Sequence, residues 1–431
     1  MTSFVSRLAA AKVVQPLRRR DFALLAGGSV VSLFGDGFFY LALTWQVYAI
    51  SNVPTALSFV GLAWTLPSVL FLLIGGAYSD RHDRRRLMIS ADVLRAAAIG
   101  GMAILSWAGV IELWHIAALI AFVGVGNAFF YPASTAIVPD LLPSDELPAA
   151  NALAGMYRPL TVRLIGPAIA GLVVGVAGPA PAFAIDGLSF LVSAAAVGAI
   201  RTRPAPRPAV AAASLRQTLA DVGEGLRFAR ATPWIWATLL SAMFSLLVFM
   251  GPVEVLLPYL IKNRLELGPE SFGAIFAVGG VGSIAMSVAI GAFGLPRRRI
   301  TAMYLSWTIG IALPALFGVM TALWQAMLVS FVLQGSLELG QVIWTTLLQQ
   351  HVPRELLGRV SSLDWLVSTG LVPVSFALTG PIAAALGPET TIIVASLLGA
   401  AIINALLFWP GVRDLERAPS AGAARAKEQP V

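Results

Sequence analysis

The chain has 431 residues, 58% of them hydrophobic and only 12% charged, with a mean hydropathy of +0.81. That is too little polar side chain to clothe a soluble globule of this length, so lipid must be its main solvent. The formal net charge is +7, and the lack of any cysteine excludes disulfides, thiolate metal sites and a cysteine nucleophile.

A helix crossing hydrocarbon needs roughly 20 mostly apolar residues, because only an internally hydrogen-bonded backbone is tolerated there. Twelve such runs are predicted, near 22–50, 55–78, 87–108, 113–136, 150–176, 181–200, 233–260, 271–294, 300–320, 322–347, 360–386 and 390–410. The first is too long for a signal-peptide core and is followed by eleven more, so it is expected to stay in the protein. The expected organisation is a tail over 1–21, a six-helix bundle over 22–200, a linker over 201–232, a second six-helix bundle over 233–410 and a tail over 411–431. Within the linker, Leu215, Leu219, Val222 and Leu226 recur at helical spacing with charge elsewhere, which predicts a short amphipathic helix lying along the membrane surface.

Five Lys or Arg fall in the first tail, four in loop 2–3, six in the linker, three in loop 8–9, two in loop 10–11 and four in the last tail, against only Lys262 and Arg264 on the other side. By the positive-inside rule the arginine-rich face, with both termini, is expected to be cytoplasmic. The basic balance therefore reflects topology and contact with anionic lipid headgroups, and nucleic acid is not an expected partner. Twenty-six arginines against three lysines, with abundant Ala and Gly, suit a GC-rich bacterium, so the expected location is a bacterial inner membrane. His82, His115 and His351 are far apart and in or near loops, and no metal site or cofactor is expected. No Gly-x-Ser-x-Gly elbow, phosphate loop or His-Glu-x-x-His motif is present, so enzymatic activity is not expected.

The halves repeat. Val138-Pro139 echoes Val352-Pro353, Gly76 echoes Gly291, and Arg84 to Arg86 match Arg297 to Arg299, at offsets of 214, 215 and 213. Duplicated bundles are the architecture that secondary transporters rock around a central site.

Charge inside the apolar runs marks the candidate site. A carboxylate at the bilayer centre costs about 2.5 to 3.5 kcal/mol on insertion scales, so each must be paired, protonated or facing water. Asp36 lies midway along the first run, in a stripe Gly28, Ser32, Asp36, Tyr40, Thr44 that repeats every four residues and is expected to line an aqueous cavity. The tenth run carries Gln334, Glu338, Gln341 and Thr345, the seventh contributes Glu254 with Met250 and Met243, and the fourth contributes Asn127 and Tyr131. Asp36, Glu338 and Glu254 are the candidate proton carriers, because a carboxyl whose access to water alternates can load a proton on one side and release it on the other. Asp92 and Arg95, three apart at the cytoplasmic end of run 3, are expected to neutralise each other. Arg158 and Arg163 enter run 5, where Arg163 is a candidate substrate contact. Asp364 and Asp186 are expected to serve dipole or gate interactions.

Loop 2–3 reads GGAYSDRHDRRRLM, and here the chain resembles the major facilitator superfamily. Gly76, Asp80, Arg81, Arg84 and Arg85 match its signature, and Asp83 stands where the pattern has a second Gly. The stretches FGDGFFYLALTW, GNAFFYPASTAIVPDLLPSDELPAANAL and QQHVPRELLGRVSSLDW narrow the likeness to a branch similar to macrolide and multidrug exporters and to enterobactin-type siderophore exporters. RLIGPAIAG, with Gly166, Pro167 and Gly171, resembles a motif associated with antiporters, in which Pro167 is expected to kink the helix and the glycines to permit close packing. The resemblance implies an all-α membrane fold of two pseudo-symmetric six-helix bundles, with runs 1, 4, 7 and 10 around a central cavity and Asp80 latching the start of run 11. It implies a monomeric secondary transporter that exports amphipathic organic molecules against protons. An uptake symporter for a small metabolite would use the same acids. A sensor or scaffold that binds without transporting would need neither acids nor gate.

Overall fold

The structure, a computed structural model, describes residues 14–201 and 215–417. Twelve helices long and apolar enough to cross a membrane are present among them: α1 (Arg20–Ile50), α2 (Pro54–Arg81), α3 (Arg84–Trp107), α4 (Leu113–Leu141), α5 (Leu147–Ala177), α6 (Pro179–Gly198), α7 (Pro233–Asn263), α8 (Pro269–Phe293), α9 (Arg299–Gly318), α10 (Leu323–His351), α11 (Arg354–Gly370, continued as Val372–Leu386) and α12 (Pro388–Leu407). The linker helix spans Leu215–Ala231. It is tied to α11 by an ion pair between Glu224 and Arg359, and the rest of the linker, 202–214, lies outside the described residues.

Local chemistry sets the helix ends. Pro54, Pro179, Pro233, Pro269 and Pro388 open their helices, where a missing N–H costs nothing. Asp83 caps α3, its carboxylate accepting from the amides of Arg85 at 3.0 Å and Arg86 at 3.4 Å. Its φ is −61°, so this position needs an acceptor side chain rather than the freedom of glycine.

Duplication is visible in the boundaries themselves. Both ends of α1 and α7 lie 213 residues apart, and both ends of α4 and α10 lie 210 apart. The second offset corrects one sequence landmark: Val138-Pro139 is inside α4, and Val352-Pro353, which follows α10, corresponds to Leu142-Pro143. Helix α5 is broken by a π-helical turn over Leu160–Ile165 and α11 by the step at Leu371, so each half has one irregular helix of its fifth span.

The bundles meet at the face opposite the arginine-rich ends. Tyr48 donates to the Val255 carbonyl at 2.6 Å, Lys262 to the Tyr48 carbonyl at 2.5 Å, and Asn52 to Asn263 at 2.6 Å. The largest core cluster runs through both halves there, joining Tyr48, Leu57 and Val60 to Val255, Phe272 and Phe376. Helices α5 and α8 cross on Gly171 and Gly273: a Cβ on Gly171 would stand 2.9 Å from the Pro269 carbonyl oxygen, and one on Gly273 would stand 2.4 Å from that of Pro167. Only residues without a side chain fit this crossing. Toward the arginine-rich face each bundle holds a crevice of its own.

Candidate functional site

Asp36 is carried into the N-terminal bundle by glycines on both sides. Gly35 abuts Ser189 and Asp186 of α6, Gly37 abuts Gly166 of α5, and the carboxylate between them points into a crevice of about 440 Å³. Ser32, Arg95, Tyr131 and Arg158 share that crevice, which reaches the arginine-rich ends of the helices at Phe22 and Leu147. Among the described residues no hydrogen bond or ion pair reaches Asp36, so its charge is left to water or a proton. Behind it Arg95, 1% exposed, pairs with Asp92, donates to Asn127 at 3.1 Å, and lies 4.1 Å from the ring centres of Phe130 and Phe190. Asp186 is fully buried, with one oxygen 3.3 Å from the Ser189 hydroxyl and the other without a partner among the described residues.

Between the bundles lies a second cavity, of about 390 Å³, lined by Tyr40, Trp64, Tyr131, Met250, Trp365 and Phe376 with Asn127 and Glu254 as polar groups. Here the hydroxyl of Tyr40 on α1 donates to the Glu254 carboxylate on α7. Sequence explains why it also lies 3.4 Å from the Glu254 carbonyl: Pro258, four residues on, has no N–H to occupy that oxygen. The site thus combines a large aromatic surface with one carboxylate and a few hydrogen-bonding groups, which suits a ligand that is apolar over most of its surface.

The third cavity, of about 300 Å³, is inside the C-terminal bundle and is the duplicate of the first. Leu25, Ser29, Ser32 and Leu33 of the N-terminal crevice correspond at 213 to Thr238, Ala242, Ser245 and Leu246, and Tyr131 and Ser134 correspond at 210 to Gln341 and Trp344. Glu338 lines it and accepts from Ser283 at 2.8 Å and Ser287 at 3.2 Å. Asp364 lines it too, with the Trp344 indole donating at 3.0 Å.

The three expected acids therefore face three cavities, not one. Ser32 and Tyr131 line the first, Tyr40, Asn127, Tyr131 and Met250 the shared one, and Arg163 and Gln341 the third. Gln334 instead accepts from Arg163 at 2.7 Å, a bridge between α5 and α10. One expectation is corrected: Thr44 is 1% exposed and bonded to the Tyr40 carbonyl, turned into packing. Met243 is half-buried on α7 and is not among the residues lining these three cavities. In the loop signature Arg84 binds Asp140 at 2.8 Å, and Arg85 donates to the Gly198 carbonyl; the surroundings of Gly76 and the side chains of Asp80 and Arg81 lie outside what the structure describes. Sequence reasoning missed Arg95 and Asp364 as cavity residues. Arg95 stands three turns inside α3, because that helix starts at Arg84, and this depth was the available signal.

The family model described as transmembrane secretion effector, a major facilitator model, matches residues 11–431. The chain belongs to that family. This major facilitator is 24% identical over 399 residues to macrolide efflux protein A of Streptococcus pyogenes, covering 92% of this chain and 96% of that one. It is 26% identical over 423 residues to the multidrug efflux pump Tap of Mycolicibacterium fortuitum, covering 94% and 98%. Its fold matches the crystal structure of a bacterial homologue of the iron transporter ferroportin in the inward-facing state, with a TM-score of 0.65, 18% identity, and coverage of 90% and 99%. It is a multi-pass membrane transporter with efflux pumps among its relatives.

Proposed function

We propose that this transporter is a proton-coupled antiporter, working as a monomer in a bacterial inner membrane with both termini cytoplasmic, that exports amphipathic organic compounds. The observation that carries this reading is the unpaired Asp36 carboxylate in a crevice reaching the arginine-rich face while the opposite face is sealed. A carboxyl placed so exchanges its proton with one aqueous phase at a time, which is what coupling requires. The aromatic shared cavity supports an amphipathic substrate, and export is supported by the names of the relatives.

Gly166, Pro167 and Gly171 serve the rocking motion in this reading, since they form the crossings of α5 with α1 and α8. Proteoliposomes test the proposal: an imposed proton gradient should drive transport of a macrolide from a substrate panel, and substrate should dissipate the gradient. Asp36→Asn should bind the same macrolide but lose gradient-driven transport. If neither flux responds to the other in the wild type, the antiport reading fails.

A further inference from the structure

We propose that the crevice inside the C-terminal bundle is a second ligand site, one that takes the ammonium head of a small organic cation. The inference goes beyond export, because the site lies off the shared cavity and its occupancy needs no gradient.

Comparison of the duplicated crevices carries the argument. The N-terminal one has a cation built into its wall, Arg95 of α3, seated between two phenylalanine rings and paired with Asp92. Its counterpart is walled by α9, which holds no basic residue after Arg299 and contributes the indole of Trp307 instead. It also has a carboxylate where the N-terminal copy has none, since Glu338 corresponds at 210 to Ala128. Asp364 and Glu338 both line the crevice, and among the described residues neither has a cationic partner within ion-pair distance. Arg163 reaches the crevice from the other bundle and donates to the neutral Gln334, so two carboxylates face one guanidinium and the negative charge is in excess.

A second observation points the same way. Ser241 is 1% exposed, lines the crevice, and among the described residues its hydroxyl has no hydrogen-bond partner. A buried hydroxyl without a partner costs free energy, and its oxygen is free to turn toward the N–H of a primary ammonium or the positive methyl shell of a quaternary one. Acid, aromatic face and hydroxyl acceptor are together the set that recognises an ammonium group. At about 300 Å³ the space is far larger than a bare ion needs, and among the described residues no cluster of three metal-binding side chains exists. Two carboxylates against one guanidinium disfavour an anion.

Equilibrium binding to the full chain in lipid nanodiscs tests this with benzyltrimethylammonium, whose charge is permanent, and its uncharged isostere neopentylbenzene. The ammonium should bind saturably and quench tryptophan emission, and the isostere should bind at least about tenfold more weakly. Asp364→Asn should weaken the ammonium about thirtyfold or more, as loss of a desolvated counter-charge does. Trp307→Leu, an independent variant in case the first folds poorly, should weaken it about threefold and remove most of the quench. No saturable binding, equal affinity for the isostere, or binding untouched by Asp364→Asn and Trp307→Leu but lost in Glu254→Gln would each overturn the proposal. The last result would place the cation in the shared cavity.

Discussion

Replacing Arg95 by methionine tests the electrostatics of the N-terminal bundle. The guanidinium and its partner Asp92 are 1% and 0% exposed, so the substitution strands a buried carboxylate without its counter-charge. Removing one member of such a pair costs about 3 to 5 kcal/mol, and the two ring contacts at 4.1 Å and the bond to Asn127 push the loss toward the upper end. That corresponds to a fall of roughly a thousandfold in the folded-to-unfolded ratio. Replacing both partners, Asp92→Leu with Arg95→Met, fills similar volume without stranding a charge and should recover most of the loss, leaving it within about 1 kcal/mol of the wild type. Titration with sodium dodecyl sulfate in mixed micelles, followed by tryptophan emission, reads both. The reasoning is refuted if the single change costs less than about 1 kcal/mol, or if the double change costs as much as the single.

Tyr40→Phe removes the hydroxyl that bridges α1 to the Glu254 carboxylate, a charge-assisted bond worth about 1.5 to 3 kcal/mol, and should shift the bundle equilibrium toward opening of the Lys262 face by tenfold or more. Because the chain has no cysteine, a single Val60→Cys, 0% exposed in the core that joins the halves, reports that opening directly as faster maleimide labelling. Gly171→Val drives a side chain into the backbone of Pro269 and Glu270, so spin labels across the α5–α8 crossing should move apart, with transport lost at normal expression; an unchanged distance distribution would contradict the wedge. At the membrane surface, Arg19 holds the Glu146 carboxyl below the ordinary glutamate range through a hydrogen bond at 2.8 Å. A lowered carboxyl contributes stability that is present at neutral pH and lost as pH falls through its folded value. Arg19→Gln should therefore lower the melting temperature at pH 7 and leave it unchanged near pH 3, and an equal effect at both would exclude the linkage.

The apolar runs located every span, because twenty residues without charge have one physical outcome in lipid. Their ends ran short where polar residues continue the helix: α4 passes through Pro139 to Leu141, and α1 starts back at Arg20. The stripe on α1 shows why side-chain direction was harder to read. A step of four residues turns about 40° beyond a full turn, so Thr44 faces roughly 120° away from Ser32. It meets packing, while Ser32 and Asp36 meet the crevice. On α10 the spacings of 4, 3 and 4 cancel that drift, and Glu338 and Gln341 line one crevice. Grouping Asp36, Glu254 and Glu338 in a single cavity failed for another reason. Membership of the same bundle interior depends on which helices separate two residues, and spacing along one helix does not carry that.

Duplication fixes the backbone of both halves more strictly than their charge. The offsets of 213 and 210 hold from end to end of α1 with α7 and α4 with α10, and the same positions open a crevice in each. Within that frame the N-terminal copy carries three acids and a buried arginine, Asp36, Asp92, Asp186 and Arg95, while the C-terminal copy carries Glu338 and Asp364 with indoles in place of that guanidinium. The two crevices therefore differ in charge: one surrounds the Asp36 carboxyl with Arg95 and Arg158, and the other sets two carboxylates against the single guanidinium of Arg163. Tyr131, which lines both the first crevice and the shared cavity, gives the crevice that holds Asp36 a physical connection to the cavity between the bundles.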